Sequence, residues 1–249
     1  MPDSSFLICF SGISGSGKTT IASEVVKKLN ANNINAVLLR MDHYYKPVGA
    51  LSAAEQANFN WDQPEALKMD EFYQDLSALK QGKAIKRQID PYSRISGEDV
   101  SDPVLPQRVT VVEGLFTLAD ERIRGLFDLI FMVNTRLDIA LHRRLLRDPQ
   151  SDYVLGQYQT KIRPAALLYV LNLKGHAHHR LRNNTEAQKG IAIDTAYRLI
   201  DERLSSSCSM NALVKTALRF SPLLLGAGLF AWKIFTNQSS IAADSGPSP

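Results

Sequence analysis

Short apolar runs alternate with amphipathic stretches along the first two thirds of the chain. Residues 6–10 form an apolar run that predicts a buried strand, and residues 20–30 place apolar side chains at helical spacing. A second apolar run follows at residues 36–39. A strand, a helix and a second strand in this order form a βαβ unit, which favours a parallel sheet covered by helices.

The same pattern continues towards the C-terminus. Apolar runs at residues 109–112 and 129–133 predict further buried strands. Helical periodicity covers residues 67–81, 138–147, 155–173 and 192–204, and no strand is predicted within residues 176–193. We therefore expect an α/β fold with a mainly parallel sheet, a three-layer sandwich, as one domain over residues 1–205.

The end of the chain has a different composition. Residues 206–211 are predicted to be a linker, residues 212–235 an apolar helix, and residues 236–249 a disordered tail rich in small residues. The uncharged part of the helix is 13 residues long, whereas a bilayer requires about 20. Because the flanking Arg219 and Lys233 can snorkel, two interpretations stay open. The helix is either a membrane tail anchor or an interfacial helix, or it packs on the domain or on a second copy in a homo-oligomer.

Composition narrows the class of protein. The chain has 249 residues, and its 29 Lys and Arg and 25 Asp and Glu residues give a charge of +4 without long runs of one sign. This mild excess indicates no nucleic acid partner and suits an anionic substrate. Two cysteines without metal-ligand spacing and an N-terminus unlike a secretory signal predict a cytoplasmic protein, tethered to a membrane if residues 212–235 form an anchor.

A complete phosphate-binding pattern, G-x-x-x-x-G-K-[ST], follows the first strand at residues 12–19. Its glycines let backbone N–H groups turn towards phosphates, at the positive end of the helix that follows. Lys18 is expected to reach the β and γ phosphates, and the Thr19 hydroxyl to bind Mg²⁺. The pattern predicts ATP or another nucleoside triphosphate with Mg²⁺, in a P-loop fold. The predicted nucleotide-binding residues are Gly12, Ser14, Gly15, Ser16, Gly17, Lys18, Thr19 and Thr20.

The loop by itself does not distinguish a small-molecule kinase from a GTPase or an ATP-driven machine. The chain has no N-K-x-D stretch to read guanine, and it has no room for the additional modules of a motor protein. A small-molecule kinase is therefore favoured.

Further motifs occur in a characteristic order: GISGSGKTT, MDHYYKP, NWDQPEAL, DPYSRI, VVEGLF, RRLLRD, GQY and RP. With these motifs, residues 6–164 resemble the uridine kinase branch of the uridine kinase and phosphoribulokinase family. Beyond residue 164 the resemblance fades. The resemblance implies transfer of a phosphoryl group to a nucleoside.

In this resemblance, Asp42 matches the catalytic aspartate, which accepts the proton of the attacking hydroxyl, and Tyr45 matches a tyrosine facing the nucleoside. Trp61 matches an aromatic residue of the base pocket, and Asp62 matches the carboxylate that binds the ribose diol. Glu113 matches a second acid associated with Mg²⁺. From the residues alone, each of the three acids could instead cap a turn or a helix.

Arg144 and Arg147 match lid arginines that contact substrate and phosphates, where they would neutralise the charge of the transferred group. Arginines on a helix are otherwise often a solvated face. Gln157 matches a glutamine near the nucleoside. Tyr92 is the part of the pyrimidine-reading motif that this sequence keeps.

The sequence departs from the family at two places. Ser93, Arg94 and Gly97 stand where the family has an aromatic residue and a histidine that read the pyrimidine, and the segment after Asp148 is short and carries no lid arginine. These departures predict a slower enzyme or a different acceptor. The histidines at positions 176, 178 and 179 are interpreted as a solvated helix end, not as metal ligands.

The leading hypothesis is an ATP- and Mg²⁺-dependent kinase for the 5′-hydroxyl of a uridine- or cytidine-like nucleoside. One alternative is a kinase for another riboside or small polyol. The other alternative is a catalytically weak nucleotide-binding protein that associates with a membrane.

Overall fold

The structure is a computed structural model that describes residues 4–88, 101–147 and 151–206. Seven strands are present in this part of the chain. They are β1 (Phe6–Ser11), β2 (Ala36–Arg40), β3 (Ile85–Gln88), β4 (Ser101–Val104), β5 (Val109–Gly114), β6 (Leu129–Asn134) and β7 (His179–Arg182).

Five strands form one sheet in the order β2-β5-β1-β6-β7, and every neighbouring pair is parallel. β3 and β4 form a separate antiparallel pair. Consecutive strands of the main sheet are parallel, so each connection must cross over, and helices supply the crossovers. The predicted α/β fold with a mainly parallel sheet is therefore confirmed.

Helices fill the connections between the strands, and a last helix follows β7. They are α1 (Lys18–Ala31), α2 (Ala53–Asn58), α3 (Met69–Lys80), α4 (Glu121–Arg124), α5 (Leu137–Arg147), α6 (Ser151–Gln157), α7 (Arg163–Ala166) and α8 (residues 186–206). Short 3₁₀ turns cover Met41–Tyr44 and Pro64–Ala66. After α6, π-helical turns at Tyr158–Ile162 and Leu167–Leu171 and a 3₁₀ turn at Asn172–His176 continue the helical path on both sides of α7.

The central strands are buried on both faces, as expected for a parallel sheet between helical layers. All six residues of β5 are buried, as are five of the six residues of β1. In α1, the buried residues Ile21, Val25 and Leu29 recur at intervals of four, which is the spacing that places side chains on one helical face. Strands that are buried on both faces appear in the sequence as continuous apolar runs, without alternating polar residues. Such runs predict these strands.

β7 corrects the expectation that no strand lies within residues 176–193. It pairs in parallel with β6 from Phe131 opposite His179 to Asn134 opposite Arg182. The histidines are also placed differently from the prediction. His178 Nδ1 accepts a hydrogen bond from the backbone N–H of Ile130 at 2.9 Å, and His179 stacks on Phe131. Only His176 ends a helical turn.

The chain divides into two compact units, residues 1–198 and 199–249. Of the second unit, the structure describes residues 199–206, which are helical. No helix within the described ranges combines the length and the apolar character that crossing a membrane requires. The apolar segment 212–235 lies outside the described residues, so the linker, helix and tail boundaries stay predictions.

Candidate active site

The carboxyl ends of three parallel strands meet at one edge of the sheet. In the register of the sheet, Glu113 of β5 lies opposite Phe10 of β1 and opposite Arg40 of β2. The phosphate loop begins directly after β1, and Asp42 lies in the 3₁₀ turn directly after β2. Strand pairing therefore brings the loop, Glu113 and Asp42 to the same edge, where ligands bind in open parallel sheets.

Gly114 allows this edge to be compact. A Cβ atom at Gly114 would lie only 2.4 Å from the Cβ of Met41, which immediately precedes Asp42. Any other residue at position 114 would push the exit of β5 away from the turn that carries Asp42. Gly114 thus allows the chain that carries Glu113 to pack closely against the turn that carries Asp42.

The phosphate loop is shaped by glycines in left-handed conformation. Gly15 has φ 79° and Gly17 has φ 85°, which L side chains rarely adopt. A Cβ at Gly15 would lie 2.1 Å from the backbone oxygen of Ala140 in α5. The loop is therefore packed against α5, and α1 begins directly behind it at Lys18 with its N-terminal end towards the loop.

Glu113 and Thr19 form the polar centre of the site. The Thr19 hydroxyl donates a hydrogen bond of 3.0 Å to Glu113 Oε2, and only 1% of Glu113 is exposed. Burial raises the pKa of Glu113, the positive charge of Lys18 opposes this shift, and the negative charge of Asp42 adds to it. Lys18 and Asp42 thus influence the pKa of Glu113 in opposite directions.

Asp62 and Arg144 form an ion pair on the other side of the site. Arg144 Nη1 donates to Asp62 Oδ1 at 3.0 Å, and Nη2 donates to Oδ2 at 3.2 Å. The two side chains are only 12% and 11% exposed. Asn60 shapes the turn before Asp62, because its Oδ1 accepts the backbone N–H of Asp62 at 3.1 Å. Two predicted substrate residues are therefore in direct contact with each other.

Aromatic side chains surround Tyr45 and Trp61. The two rings meet edge to face with their centroids 5.5 Å apart, and the Tyr45 hydroxyl donates to the Trp61 carbonyl oxygen at 3.1 Å. Phe59, which the sequence analysis did not single out, packs edge to face on Trp61 at 4.5 Å. Two backbone hydrogen bonds connect the segment around Tyr45 with the segment that follows Trp61. The Lys46 N–H donates to the Ala66 carbonyl oxygen, and the Lys68 N–H donates to the Tyr44 carbonyl oxygen.

A largely apolar cavity lies between the phosphate loop, α5, the π-helical turn Tyr158–Ile162 and α7. Ser14, Asp62 and Arg144 are the predicted residues that line it. The other lining residues are Ile13, Leu115, Leu137, Ala140, Leu141, Tyr158, Ile162, Arg163 and Ala166. Arg163 belongs to the RP motif. The motif is recognisable in the sequence, but it indicates no role for this arginine.

The remaining predicted residues are placed less centrally. Arg147 is exposed at the end of α5, and Gln157 is partly buried at the end of α6. The described lining of the cavity includes the neighbouring Tyr158 and not Gln157. Tyr92 lies outside the described residues, as do Ser93, Arg94, Gly97 and residues 148–150. Their roles stay predictions.

Two residues beyond the recognised motifs hold the phosphate loop. Asn183, directly after β7, donates from Nδ2 to the carbonyl oxygen of Ser16 at 2.6 Å. Thr135, directly after β6, has its hydroxyl 3.1 Å from the same oxygen. Sequence reasoning missed both residues because neither belongs to a phosphate-binding pattern and β7 was not predicted.

The donor groups of this site suit a nucleoside triphosphate with Mg²⁺. Thr19 and Glu113 offer oxygen ligands, which Mg²⁺ prefers, and the glycine loop with Lys18 forms a cradle for phosphates. Among the residues that the structure describes, no group of three or more His, Cys, Asp or Glu side chains could hold a metal ion. A Mg²⁺ ion held by one or two protein ligands and by substrate phosphates is the usual arrangement in kinases.

The parallel sheet, the phosphate loop at the end of β1 and the acids at the ends of β2 and β5 define a P-loop phosphotransferase. The profile of the phosphoribulokinase / uridine kinase family matches residues 7–180. The chain belongs to this family and is a small-molecule phosphotransferase. The match extends past residue 164, where the sequence motifs faded, and it reaches into β7.

Individual relatives agree with this assignment. A uridine kinase of Brevibacillus brevis is 36% identical over 176 residues, which cover 69% of this chain and 81% of the relative. A uridine kinase of Staphylococcus aureus is 34% identical over 163 residues, which cover 64% of this chain and 78% of the relative. The solved structure of a possible uridine kinase from Bacillus stearothermophilus has a TM-score of 0.53 at 14% identity, covering 72% of this chain and 90% of that one. This structural likeness concerns the fold.

Proposed function

We propose that the chain is an ATP- and Mg²⁺-dependent nucleoside kinase that phosphorylates the 5′-hydroxyl of a uridine- or cytidine-like nucleoside. The observation that carries this proposal is the cluster at the strand ends, where the buried Glu113 receives a hydrogen bond from Thr19 of the phosphate loop and lies opposite Arg40, two residues before Asp42. The uridine kinases among its relatives support a nucleoside as the acceptor.

Asp42 is the residue that we assign to proton transfer. Its carboxylate is exposed at the edge of the site, and no other candidate acid there is both exposed and next to the phosphate loop within the described residues. It would accept the proton of the acceptor hydroxyl as that oxygen attacks phosphorus. Asp62, in contrast, is buried and already neutralised by Arg144, which suits binding a diol better than removing a proton.

Lys18 and the backbone N–H groups of residues 12–20 would hold the phosphates of the nucleotide. Thr19 and Glu113 would hold the metal ion. Mg²⁺, when bound, neutralises negative charge that develops on the phosphate oxygens. Arg144 and Arg147 are proposed to add positive charge on the acceptor side, and Tyr45, Trp61, Tyr92 and Gln157 to contact the nucleoside.

ADP release from the purified protein, measured with Mg·ATP across a panel of nucleosides, sugars and small polyols, tests the proposal. We expect uridine and cytidine to give the fastest turnover. Faster turnover with another riboside or polyol would instead favour the alternative acceptor. Absence of turnover with every acceptor, together with ATP binding that Lys18→Ala abolishes, would favour a catalytically weak nucleotide-binding protein.

For the end of the chain, the proposal is a kinase domain over residues 1–205, a linker at 206–211, an apolar helix at 212–235 and a disordered tail at 236–249. The helix would anchor the protein to a membrane or lie in the membrane interface, or it would pack on the domain or in a homo-oligomer. Membrane fractionation and light scattering of the full chain and of a chain truncated after residue 211 distinguish these roles. Equal partitioning and the same number of subunits per particle in both forms would exclude the membrane and homo-oligomer roles.

A further inference from the structure

Asn183 occupies an unusual position for a polar residue far from the recognised motifs. It is only 2% exposed, and it lies directly after β7, next to the phosphate loop. Its Nδ2 donates the 2.6 Å hydrogen bond to the carbonyl oxygen of Ser16. A buried amide N–H requires an acceptor, and the acceptor for this amide belongs to the loop.

Thr135 contributes to the same contact but cannot maintain it alone. Its hydroxyl lies 3.1 Å from the carbonyl oxygen of Ser16 and also 3.1 Å from the carbonyl oxygen of Asn183. Because a hydroxyl carries one proton, it is shared between the two acceptors. Asn183 is therefore the donor that can hold the Ser16 carbonyl continuously.

The orientation of this carbonyl decides where the next N–H group points. The peptide bond between Ser16 and Gly17 is planar and trans, so the Gly17 N–H points opposite to the Ser16 carbonyl. Holding the carbonyl towards Asn183 consequently aims the Gly17 N–H away from β7. Backbone N–H groups of such a loop are the donors that bind phosphate oxygens.

The fit between the two residues is tight. A Cβ atom at Gly17 would lie 2.3 Å from Asn183 Nδ2, so only glycine allows the amide to approach. The backbone oxygen of Asn183 also accepts a hydrogen bond of 2.9 Å from Arg143 Nη1 in α5. Arg143 directly precedes Arg144, which binds Asp62. Asn183 thus connects the phosphate loop with the helix that carries the predicted lid arginines.

We propose that Asn183 is a positioning residue for the phosphate donor, because it fixes the Ser16–Gly17 peptide with the Gly17 N–H directed towards the nucleotide. The inference rests on the proposed function only in requiring that the loop binds a nucleotide. It predicts that loss of the Asn183 amide weakens binding of the donor and leaves the affinity for the acceptor unchanged.

The first test is calorimetric binding of Mg·ADP to the full-length protein and to Asn183→Leu, which has a similar volume but no donor. We expect about tenfold weaker ADP binding, as for loss of one buried hydrogen bond to a loop that must stay ordered. Asn184→Leu is the matched control. Asn184 accepts the backbone N–H of Arg136 at 2.9 Å, which is a contact to α5's entry and not to the Ser16 carbonyl, so the ADP affinity of the control should stay within about twofold.

The second test uses Asn183→Asp, which keeps the shape of the side chain. An ionised carboxylate would repel the Ser16 carbonyl, whereas a protonated carboxyl group could donate to it. The ratio of ADP dissociation constants, variant over wild type, should therefore fall as the pH is lowered from about 8 to about 5.5. A merely structural role would give a ratio that does not depend on pH.

The outcomes separate the two proposals. Absence of Mg·ADP binding by the wild-type protein would overturn the proposed function and this inference with it. Wild-type binding together with unchanged affinity in Asn183→Leu, in a variant that unfolds at the wild-type temperature, would overturn this inference alone. If Asn183→Leu does not fold, the pH dependence of Asn183→Asp decides, and a constant ratio contradicts the inference.

Discussion

The two sides of the candidate site are built in different ways. The proposed nucleotide-binding side, called the donor side, consists mainly of backbone groups and small residues. The loop turns at Gly15 and Gly17, and the buried Asn183 and Glu113 hold it from behind. On the acceptor side, long side chains form the surface, including the Tyr45 and Trp61 rings and the Asp62–Arg144 ion pair.

This difference has a physical consequence. Phosphates are the same in every nucleotide, so a rigid backbone cradle suits them, and any change of its glycines meets other atoms within 3 Å. An acceptor site must distinguish one small molecule from another, which depends on side-chain shape and on paired polar groups. Substitutions on the donor side should therefore alter nucleotide binding, and substitutions on the acceptor side should alter turnover and acceptor affinity.

The largest effect is expected for Asp42→Asn. Loss of the proposed general base should lower kcat about 10³-fold, while ADP affinity stays within about twofold because the loop is untouched. ADP release and calorimetry measure the two quantities. Asp70→Asn, an exposed carboxylate on α3, is the control and should keep wild-type turnover. Retention of more than a tenth of wild-type kcat in Asp42→Asn would remove Asp42 from the chemistry.

The next effect concerns the Asp62–Arg144 pair. Arg144→Ala leaves a carboxylate with little solvent access and without its guanidinium partner, so the free energy of unfolding should fall by about 3 kcal/mol. Urea unfolding of Arg144→Ala, Asp62→Ala and the double variant measures the coupling. We expect the double variant to be more stable than the sum of the single losses implies. Additive losses would show that the pair is not coupled.

A smaller effect is expected for Glu113→Gln in metal-free protein. Burial raises the pKa of Glu113 above its ordinary value of 4.5. As the pH rises above that value, the unfolded chain releases the proton before the folded protein does, so the wild type loses stability until the folded pKa is passed. Glutamine does not titrate.

Thermal unfolding with a chelator should therefore show Glu113→Gln more stable than the wild type at pH 7.5, by roughly 3 °C, and the two equal near pH 4. With Mg²⁺ present, the same variant should turn over about tenfold more slowly, because a neutral amide is a weaker metal ligand. If Glu113→Gln and the wild type had equal melting temperatures at both pH values, the assignment of a buried carboxyl group with a raised pKa to Glu113 would be wrong.

The smallest effect is expected outside both sides of the site. Arg122 contacts Asp70 at 2.8 Å and Asp120 at 2.6 Å, but its side chain is 53% exposed. Solvent screens such pairs, so Arg122→Ala should shift the melting temperature by no more than about 1 °C and leave turnover and ADP affinity unchanged. A change in turnover would extend the acceptor side to the α4 region.

Much of the fold could be predicted because it is encoded in local patterns. The continuous apolar runs of β1, β5 and β6 and the periodicity of α1 and α3 are confirmed within a few residues. The phosphate loop follows from a short, contiguous motif. The positions of Asp42 and Glu113 could be placed at one edge because parallel strands end on the same side of a sheet.

Other features required the tertiary structure. The Asp62–Arg144 pair joins residues 82 positions apart, and both were predicted to contact substrate and not each other. The cavity residues Tyr158 and Arg163 depend on the π-helical path after α6, which sets the face of the helix that turns inward. The hydrophobic periodicity of the sequence does not report such a rotation, because it assumes the regular spacing of an α-helix.

The sequence by itself determined four of the five strands of the main sheet, the phosphate loop and the family, because apolar runs and short motifs act over a few residues. The tertiary structure decided β7 and, with it, the role of Asn183. β7 has four residues, three of them charged or histidine, and only Leu181 among them is buried. Such an edge strand has no hydrophobic signature of its own. It forms because the open edge of β6 offers unpaired backbone groups, and this pairing carries Asn183 to the phosphate loop.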